Sequence, residues 1–309
     1  MKNWTTANIP SQRGRIAVIT GTGGLGYEDA LELSRAGAEV IIAGRNPKKG
    51  ADAVSKIRRL APAANVSFEQ VDLADLSSIS ELGKRLRQQY SRLDLLVNNA
   101  AVMVPPKWTA TADGFELQFG TNHLGHFALT AELLPLLRNS QSARVVTVSS
   151  IASSQGRINF EDLQSKFNYK PMDAYGQSKL ANLHFAFELQ RRSDDENWGI
   201  ESIAAHPGIS RTDLLYNAPG KWSSRGIART LLWFLFQPAN QGALPTLYAA
   251  TAPQAKGGLY YGPNGLAETR GYPSLAKIPR QALDEDVAKR LWNESEKLTG
   301  VSYGVRIAK

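Results

Sequence analysis

The chain of 309 residues contains no cysteine. That excludes disulfides, thiolate metal sites and a cysteine nucleophile, and is compatible with a reducing compartment. Histidine is scarce: His123, His126, His184 and His206 are the four, and they show no metal-ligand spacing, so no metal site is expected. Long apolar runs are missing too. The first fifteen residues are polar and lack the apolar stretch of a signal peptide. The most apolar later segment, "LLWFLF" at 231–236, is far short of the roughly 20 residues that span a bilayer. The expectation is a cytoplasmic protein with no stable membrane insertion. Charge is one-sided but mild, with 36 basic against 28 acidic residues and a net +8. The basic residues are scattered and accompany no nucleic-acid motif, so a solvated surface favouring anionic ligands is expected and no nucleic-acid partner.

What is present is a rhythm. Val/Ile/Leu-rich runs at 15–20, 39–43, 66–71, 93–97, 144–149 and 200–205 alternate with helical patterns at 25–35, 47–60, 77–90, 114–137 and 174–192. Asn46 can cap the second helix, with Pro47 at its first position. Strands apolar on both faces and separated by helices predict an α/β fold with a doubly wound, mostly parallel sheet. Beyond residue 207 the rhythm breaks into a Gly/Pro/Trp-rich loop, two short helices, a strand near 258–261 and a terminal helix. This part reads as a substrate-side cap on a single domain covering 1–309, with 1–14 as an N-terminal extension.

Ligands of such sheets sit beyond the carboxyl ends of the strands. After the first strand stand Gly21, Thr22, Gly23, Gly24, Leu25 and Gly26. This G-x-G-x-x-G lies between a strand and a helix, with a second strand ending about twenty residues on, the context of a dinucleotide-binding turn. That second strand ends in Gly44 and Arg45, followed by Asn46, where an NAD site would place Asp or Glu on the ribose 2′-hydroxyl. A guanidinium pairs with a 2′-phosphate instead. NADP(H) is therefore the expected cofactor, with NAD(H) as the second choice.

Two further patterns bear chemistry. Tyr175 and Lys179 are four apart, on one helical face. A phenol titrates near 10, and a neighbouring cation, here the lysine ammonium together with the positive charge of a nicotinamide, is expected to lower that value, making Tyr175 a general acid for carbonyl reduction or a base for the reverse. Ser149 and Ser150 end a strand, and Asn122 lies in a helix interrupted by Gly120 and Gly125. Those glycines each cost about 1 kcal/mol relative to alanine, which suggests close backbone approach or local distortion near Asn122.

"TGTGGLG", "VDLADL", "LLVNNAA", "NHLGHF", "VSS", "YGQSK" and "HPGISRTDL" occur in that order. With them the chain resembles the short-chain dehydrogenase/reductase family over nearly its whole length, and "AGRNPKKG" with "NHLGHFALT" resembles its retinol-dehydrogenase and WW-domain-oxidoreductase-like branch. The resemblance implies a Rossmann fold and a tetrad of Asn122, Ser150, Tyr175 and Lys179. In it Tyr175 protonates the oxygen and Ser150 polarises the carbonyl. Lys179 lowers the phenol pKa and grips the nicotinamide ribose, and Asn122 seats a water linking Lys179 to solvent. It also implies that Asp72 and Leu73 border the adenine, Asn99, Ala100 and Ala101 line the cofactor, and Pro207, Gly208, Ile209 and Thr212 hold the nicotinamide end. Residues 207–256 fall where the family builds its substrate lid, and Met103, Tyr216 and Trp222 become candidate pocket walls beside Ser150. Relatives pair through the helix carrying Tyr175, so a homodimer or homotetramer is an expectation of the resemblance.

Two departures accompany it. The family pattern T-G-x-x-x-G-x-G is one residue shorter here, and Ala101 stands where the branch has glycine. The expected function is a reversible NADP(H)-dependent carbonyl reductase for an apolar or aromatic ketone, aldehyde or alcohol. The alternative is a non-catalytic NADP-binding sensor or scaffold, for which the short turn is the best support.

Overall fold

The structure is a computed structural model, and it describes residues 3–210 and 237–304. Eight strands form one sheet in the order β3-β2-β1-β4-β5-β6-β7-β8. They are β1 Ile16–Thr20, β2 Glu39–Gly44, β3 Asn65–Gln70, β4 Leu95–Asn98, β5 Ala143–Val148, β6 Ile200–Ala205, β7 Tyr260–Pro263 and β8 Pro273–Leu275. All neighbours pair parallel except β7 and β8. The antiparallel β8 was not expected, because three residues that begin with a proline carry no apolar periodicity.

Alternation along the strands decides the layers. Ala17, Ile19, Val40, Ile42, Leu95 and Val97 share one buried cluster with Leu33 of helix α1 (Gly24–Arg35), Ile57 of α2 (Pro47–Leu60) and Leu247 of helix Leu244–Thr251. Val18, Ile41, Leu96 and Val145 face the other way, onto Leu82 of α3 (Leu76–Gln89) and a bundle of aromatics that includes Trp292 of the terminal helix Glu285–Thr299. The sheet is thus covered on both faces, as a mostly parallel sheet with apolar residues on both sides of its central strands must be. Order reverses at β1, which has β2 on one side and β4 on the other, and the crevice outside the carboxyl ends at such a switch point is where a ligand fits.

Local signals act as read. Asn46 caps α2 by accepting from the Lys49 N–H at 3.0 Å, with Pro47 at the first helical position. The expected helix over 114–137 is instead three pieces: a turn α4 (Leu117–Phe119), a π-helical turn (Gly120–Leu124) and α5 (Gly125–Arg138). Both reasons anticipated for the glycines hold. A Cβ on Gly125 would lie 2.4 Å from the Leu73 carbonyl oxygen, and one on Gly120 would lie 2.5 Å from Thr111 Cγ2. Residues ahead of β1 are packed: Trp4 is buried in an edge-on contact with Tyr248 at 5.4 Å. Among the described residues no helix is long and apolar enough to cross a membrane.

Candidate active site

The turn after β1 is built for glycine. Gly21 (φ +104°) and Gly24 (φ +54°) occupy the left-handed region, which only glycine enters freely. A Cβ on Gly26 would sit 2.7 Å from the Gly21 carbonyl oxygen and 2.6 Å from Asn99 Nδ2, so α1 leans directly on the turn. Gly23 is the N-cap of α1 and offers no side-chain acceptor. The free N–H groups of the first turn, with their share of the helix dipole, are left to an anion. Shortened by one residue, the turn still forms this cradle.

The turn opens into a cavity of about 770 Å³. Residues 21–25 form one wall, and residues 99–101 with Met103 form another. Residues 148–152, Met172, Tyr175 and Lys179 close one end, and residues 207–210 complete it. Of the residues singled out in the sequence, Ser150, Tyr175 and Lys179 come together with the glycine turn. Arg45, Asn46, Gly26, Asp72, Leu73 and Asn122 do not line this cavity. Arg45 is exposed and Asn46 is occupied as a helix cap. The Asp72 carboxylate accepts from the Ala74 N–H at 3.0 Å, and Leu73 is buried under α5. Thr212, Tyr216 and Trp222 lie outside the described residues, as does "LLWFLF" and most of 207–256.

Positive charge at the cavity lining comes from Lys49 and Lys56 of α2, which line it together with Asp52 and Ala53. Their spacing i, i+3, i+4, i+7 marks one helical face. The signal was readable in the sequence, but nothing local said which way the face pointed. Tyr27, Ile151, Ala152, Met172 and Ser210 are further lining residues that sequence reasoning missed.

Tyr175 and Lys179 belong to α6 (Pro171–Asp195). Gly176 lets the chain after β5 come close: a Cβ on Gly156 would meet the Gly176 carbonyl oxygen at 2.4 Å, and one on Gly176 would meet that of Ala152 at 3.2 Å. This approach brings Ser150 beside Tyr175. Ser150 caps the 3₁₀ turn Ile151–Gln155, accepting from the Ala152 N–H at 3.2 Å, and its own O–H remains to donate. Ser149 instead donates to the Lys179 carbonyl at 2.7 Å, fastening β5 to α6.

Tyr175 is pushed up to about 12 by burial, with the Ser150 hydroxyl acting in the opposite direction. That value belongs to the protein alone, without the nicotinamide charge that was expected to act together with Lys179. The Lys179 Nζ lies 5.9 Å from the ring centroid and donates to the Val148 carbonyl at 3.0 Å. Burial also brings Lys179 down to about 8. The Asn122 side chain is fully engaged with protein groups. Its amide pairs with both backbone groups of Val102, at 2.7 and 2.9 Å, and donates to Ser178 Oγ at 3.0 Å, fixing the wall that carries Met103.

The turn at 207–209 is clamped from below. The Ile209 N–H donates to the Thr269 carbonyl at 2.8 Å, and Gly208 (φ +63°) has no room for a Cβ, which would fall 2.4 Å from that oxygen. His206, fully buried, accepts from the Gly208 N–H through Nδ1 at 3.2 Å and therefore donates through Nε2 to Glu268 at 3.1 Å. Glu268 and Ala267 take left-handed φ values of 55° and 48°, the kind of backbone strain that persists only where surroundings impose it. Among the described residues no group of three or more histidine, aspartate or glutamate side chains gathers as a metal site would require.

A glycine turn under a helix N-terminus, opening at a topological switch point into one cavity with a serine, a tyrosine and a lysine, defines a dinucleotide-dependent oxidoreductase. The chain belongs to the short-chain dehydrogenase family, whose model matches residues 15–221. It is 39% identical to polyprenol dehydrogenase of Mus musculus over 96% of this chain and 87% of that one. Retinol dehydrogenase 13 of Mus musculus is also 39% identical, over 96% of this chain and 86% of that one. The crystal structure of an uncharacterized protein from Mycobacterium Paratuberculosis superposes with a TM-score of 0.82 at 41% identity, covering 98% of this chain and 100% of that one. The protein is thus an NAD(P)-dependent oxidoreductase of alcohol and carbonyl groups in a retinol-dehydrogenase-like branch, and the scaffold alternative gives way to an enzyme.

Proposed function

We propose that the protein is an NADP(H)-preferring carbonyl reductase, reversible as an alcohol dehydrogenase, for apolar or aromatic carbonyls and alcohols, with Tyr175 as its general acid and base. The observation that carries this reading is the convergence of Ser150, Tyr175 and Lys179 on the cavity that contains the glycine turn. The dinucleotide, when bound, supplies or accepts a hydride at its nicotinamide and carries positive charge there when oxidised. Residues 21–25 would hold its diphosphate by backbone N–H groups, and 207–210 its nicotinamide end.

Tyr175, with a pKa of about 12, keeps its proton at neutral pH. It can therefore give that proton to a carbonyl oxygen, and it takes one back in alcohol oxidation. Ser150 can turn its O–H to the same oxygen and polarise it. Lys179 uses one N–H on Val148, so two donors remain for ribose hydroxyls. Preference for the 2′-phosphate is supported by β2, which ends in Gly44 and Arg45 with no carboxylate, and by Lys49 and Lys56 on the α2 wall. Asp52 is the one carboxylate among the described lining residues. Apolar substrates are supported by Met103, Ile151, Met172 and Ile209 on the lining, and by relatives named for retinol and polyprenol.

Cofactor absorbance during turnover of a panel of ketones, aldehydes and apolar alcohols tests the chemistry. Tyr175→Phe should lose about 10²-fold or more, and turnover that survives it removes Tyr175 as proton donor. Titration with NADPH and NADH tests the cofactor, and the variants Lys49→Ala and Arg45→Ala show which cation acts. Equal affinity for the two dinucleotides would refute the NADP preference.

A further inference from the structure

His126 is 1% exposed and takes no part in the chemistry above, yet it sits at the junction of two hydrogen-bonded walls. On one side Thr20 Oγ1 accepts the backbone N–H groups of Asn99 and Ala100, both at 2.9 Å, and approaches His126 Nε2 at 2.9 Å. On the other side His126 Nδ1 meets the Asn122 carbonyl at 2.9 Å, inside the π turn. Asn122 in turn donates to Ser178 Oγ, and Ser178 donates to the Tyr175 carbonyl at 2.8 Å. Thr20, Asn122 and Ser178 are fully buried.

The donors and acceptors permit one assignment. A carbonyl only accepts, so Nδ1 carries the proton. Both lone pairs of Thr20 Oγ1 are filled by the two backbone N–H groups, so its O–H must donate. The acceptor at 2.9 Å is Nε2; the alternative, the Val97 carbonyl, is farther at 3.3 Å. A second proton on the ring would leave an N–H facing an oxygen with no free lone pair. Burial, together with repulsion from Lys179, keeps the ring neutral down to about pH 4.

We infer that His126 is a positioning residue of this enzyme. As a single neutral tautomer it ties the turn that lines the dinucleotide side to the π turn at Asn122, and through Asn122 and Ser178 to the backbone of the helix presenting Tyr175. The inference rests on Tyr175 as proton donor. Its consequence is that the cofactor wall and the proton donor share one rigid frame. Misplacing reacting groups by about 1 Å is worth on the order of 10²-fold in rate, so loosening the junction should appear in kcat.

Three variants separate the arms. His126→Asn keeps a donor where Nδ1 stood and loses the Thr20 acceptor. His126→Gln keeps an acceptor near Thr20 and loses the donor to Asn122. His126→Leu loses both. The expected result is a kcat at least about tenfold lower for His126→Leu, with substrate KM moving by less than about threefold. His126→Asn should chiefly weaken NADPH binding, read by fluorescence titration, and His126→Gln should chiefly lower kcat. A His126→Leu protein that melts earlier but keeps kcat, KM and cofactor Kd within about twofold of wild type shows a merely structural histidine and overturns the inference.

Should the variants fail to fold, wild-type protein labelled with ¹⁵N-histidine decides. The His126 ring must show the Nδ1–H tautomer, unchanged between about pH 6 and 8.5, a range that an ordinary histidine titrates into. The other tautomer, or titration in that range, overturns it. Neither readout depends on turnover, so a failed Tyr175→Phe test would remove the proton-donor reading and leave the tautomer result standing.

Discussion

Lys179 is 2% exposed, and burial holds its amine at about 8 against an ordinary 10.5. A cation whose value falls on folding destabilises the native state. The cost is fully present below about pH 8 and fades as the pH rises towards 10.5, where the unfolded chain also loses its proton. At 1.36 kcal/mol for each factor of ten, the gap corresponds to ~3 kcal/mol at pH 7. Lys179→Met keeps the length of the side chain and removes the charge. It loses one hydrogen bond, worth about 1 kcal/mol, but Val148 is not orphaned, because Asn182 Nδ2 also donates to its carbonyl at 3.2 Å. The variant should therefore be more stable than wild type by ~1–2 kcal/mol at pH 7, while losing activity, the usual trade at a functional site. Urea unfolding of both proteins at about pH 7 and pH 9.5 measures this, and the variant's advantage should shrink by ~2 kcal/mol across that interval. Groups that titrate identically in both proteins cancel in the comparison. An advantage that does not change with pH, or a variant less stable at pH 7, would refute the view that an uncompensated buried ammonium sits at this site.

Turnover in the reducing direction should be level below about pH 8 and fall above it, as Lys179 loses its proton while Tyr175 keeps its own; a profile of kcat/KM against pH checks this, and a flat profile through pH 9 contradicts it. Gly125→Ala should cost ~1–3 kcal/mol in urea unfolding, since the new methyl meets the Leu73 backbone at 2.4 Å and the π turn cannot retreat from it. Glu268→Gln weakens the clamp on 207–209, and cofactor Kd should rise severalfold by fluorescence titration with kcat little changed. His206 holds that carboxyl below the usual range, so the clamp's contribution to stability is present above the ordinary carboxylate value and is lost as the pH falls through the lower, folded one. Melting of wild type and variant that converges in acid is the expected sign.

Much of this protein is written locally. Gly21, Gly24 and Gly26 are demanded by a turn whose constraints span a few residues, and Asn46 with Pro47 start a helix by groups within reach of one another. The i, i+4 spacing of Tyr175 and Lys179 puts them on one face in any helix, and strands apolar on both faces require helices above and below. Glycines at 120 and 125 announced a distortion, because only a close contact justifies them inside a helix.

What tertiary structure alone decided is which partner each group meets and how much water it keeps. The burial that raises the phenol of Tyr175, and the turn of Lys179 towards Val148, are set by β5 and α6 packing together. Arg45 stays in solvent while the Lys49–Lys56 face of α2 borders the cavity, a choice made by how that helix rolls against the sheet. Asn122 turns to Val102, and His126 joins Thr20 to the π turn, across separations of 20 and 106 residues. Sequence periodicity can place such side chains on a face; only the assembled core can say what lies opposite.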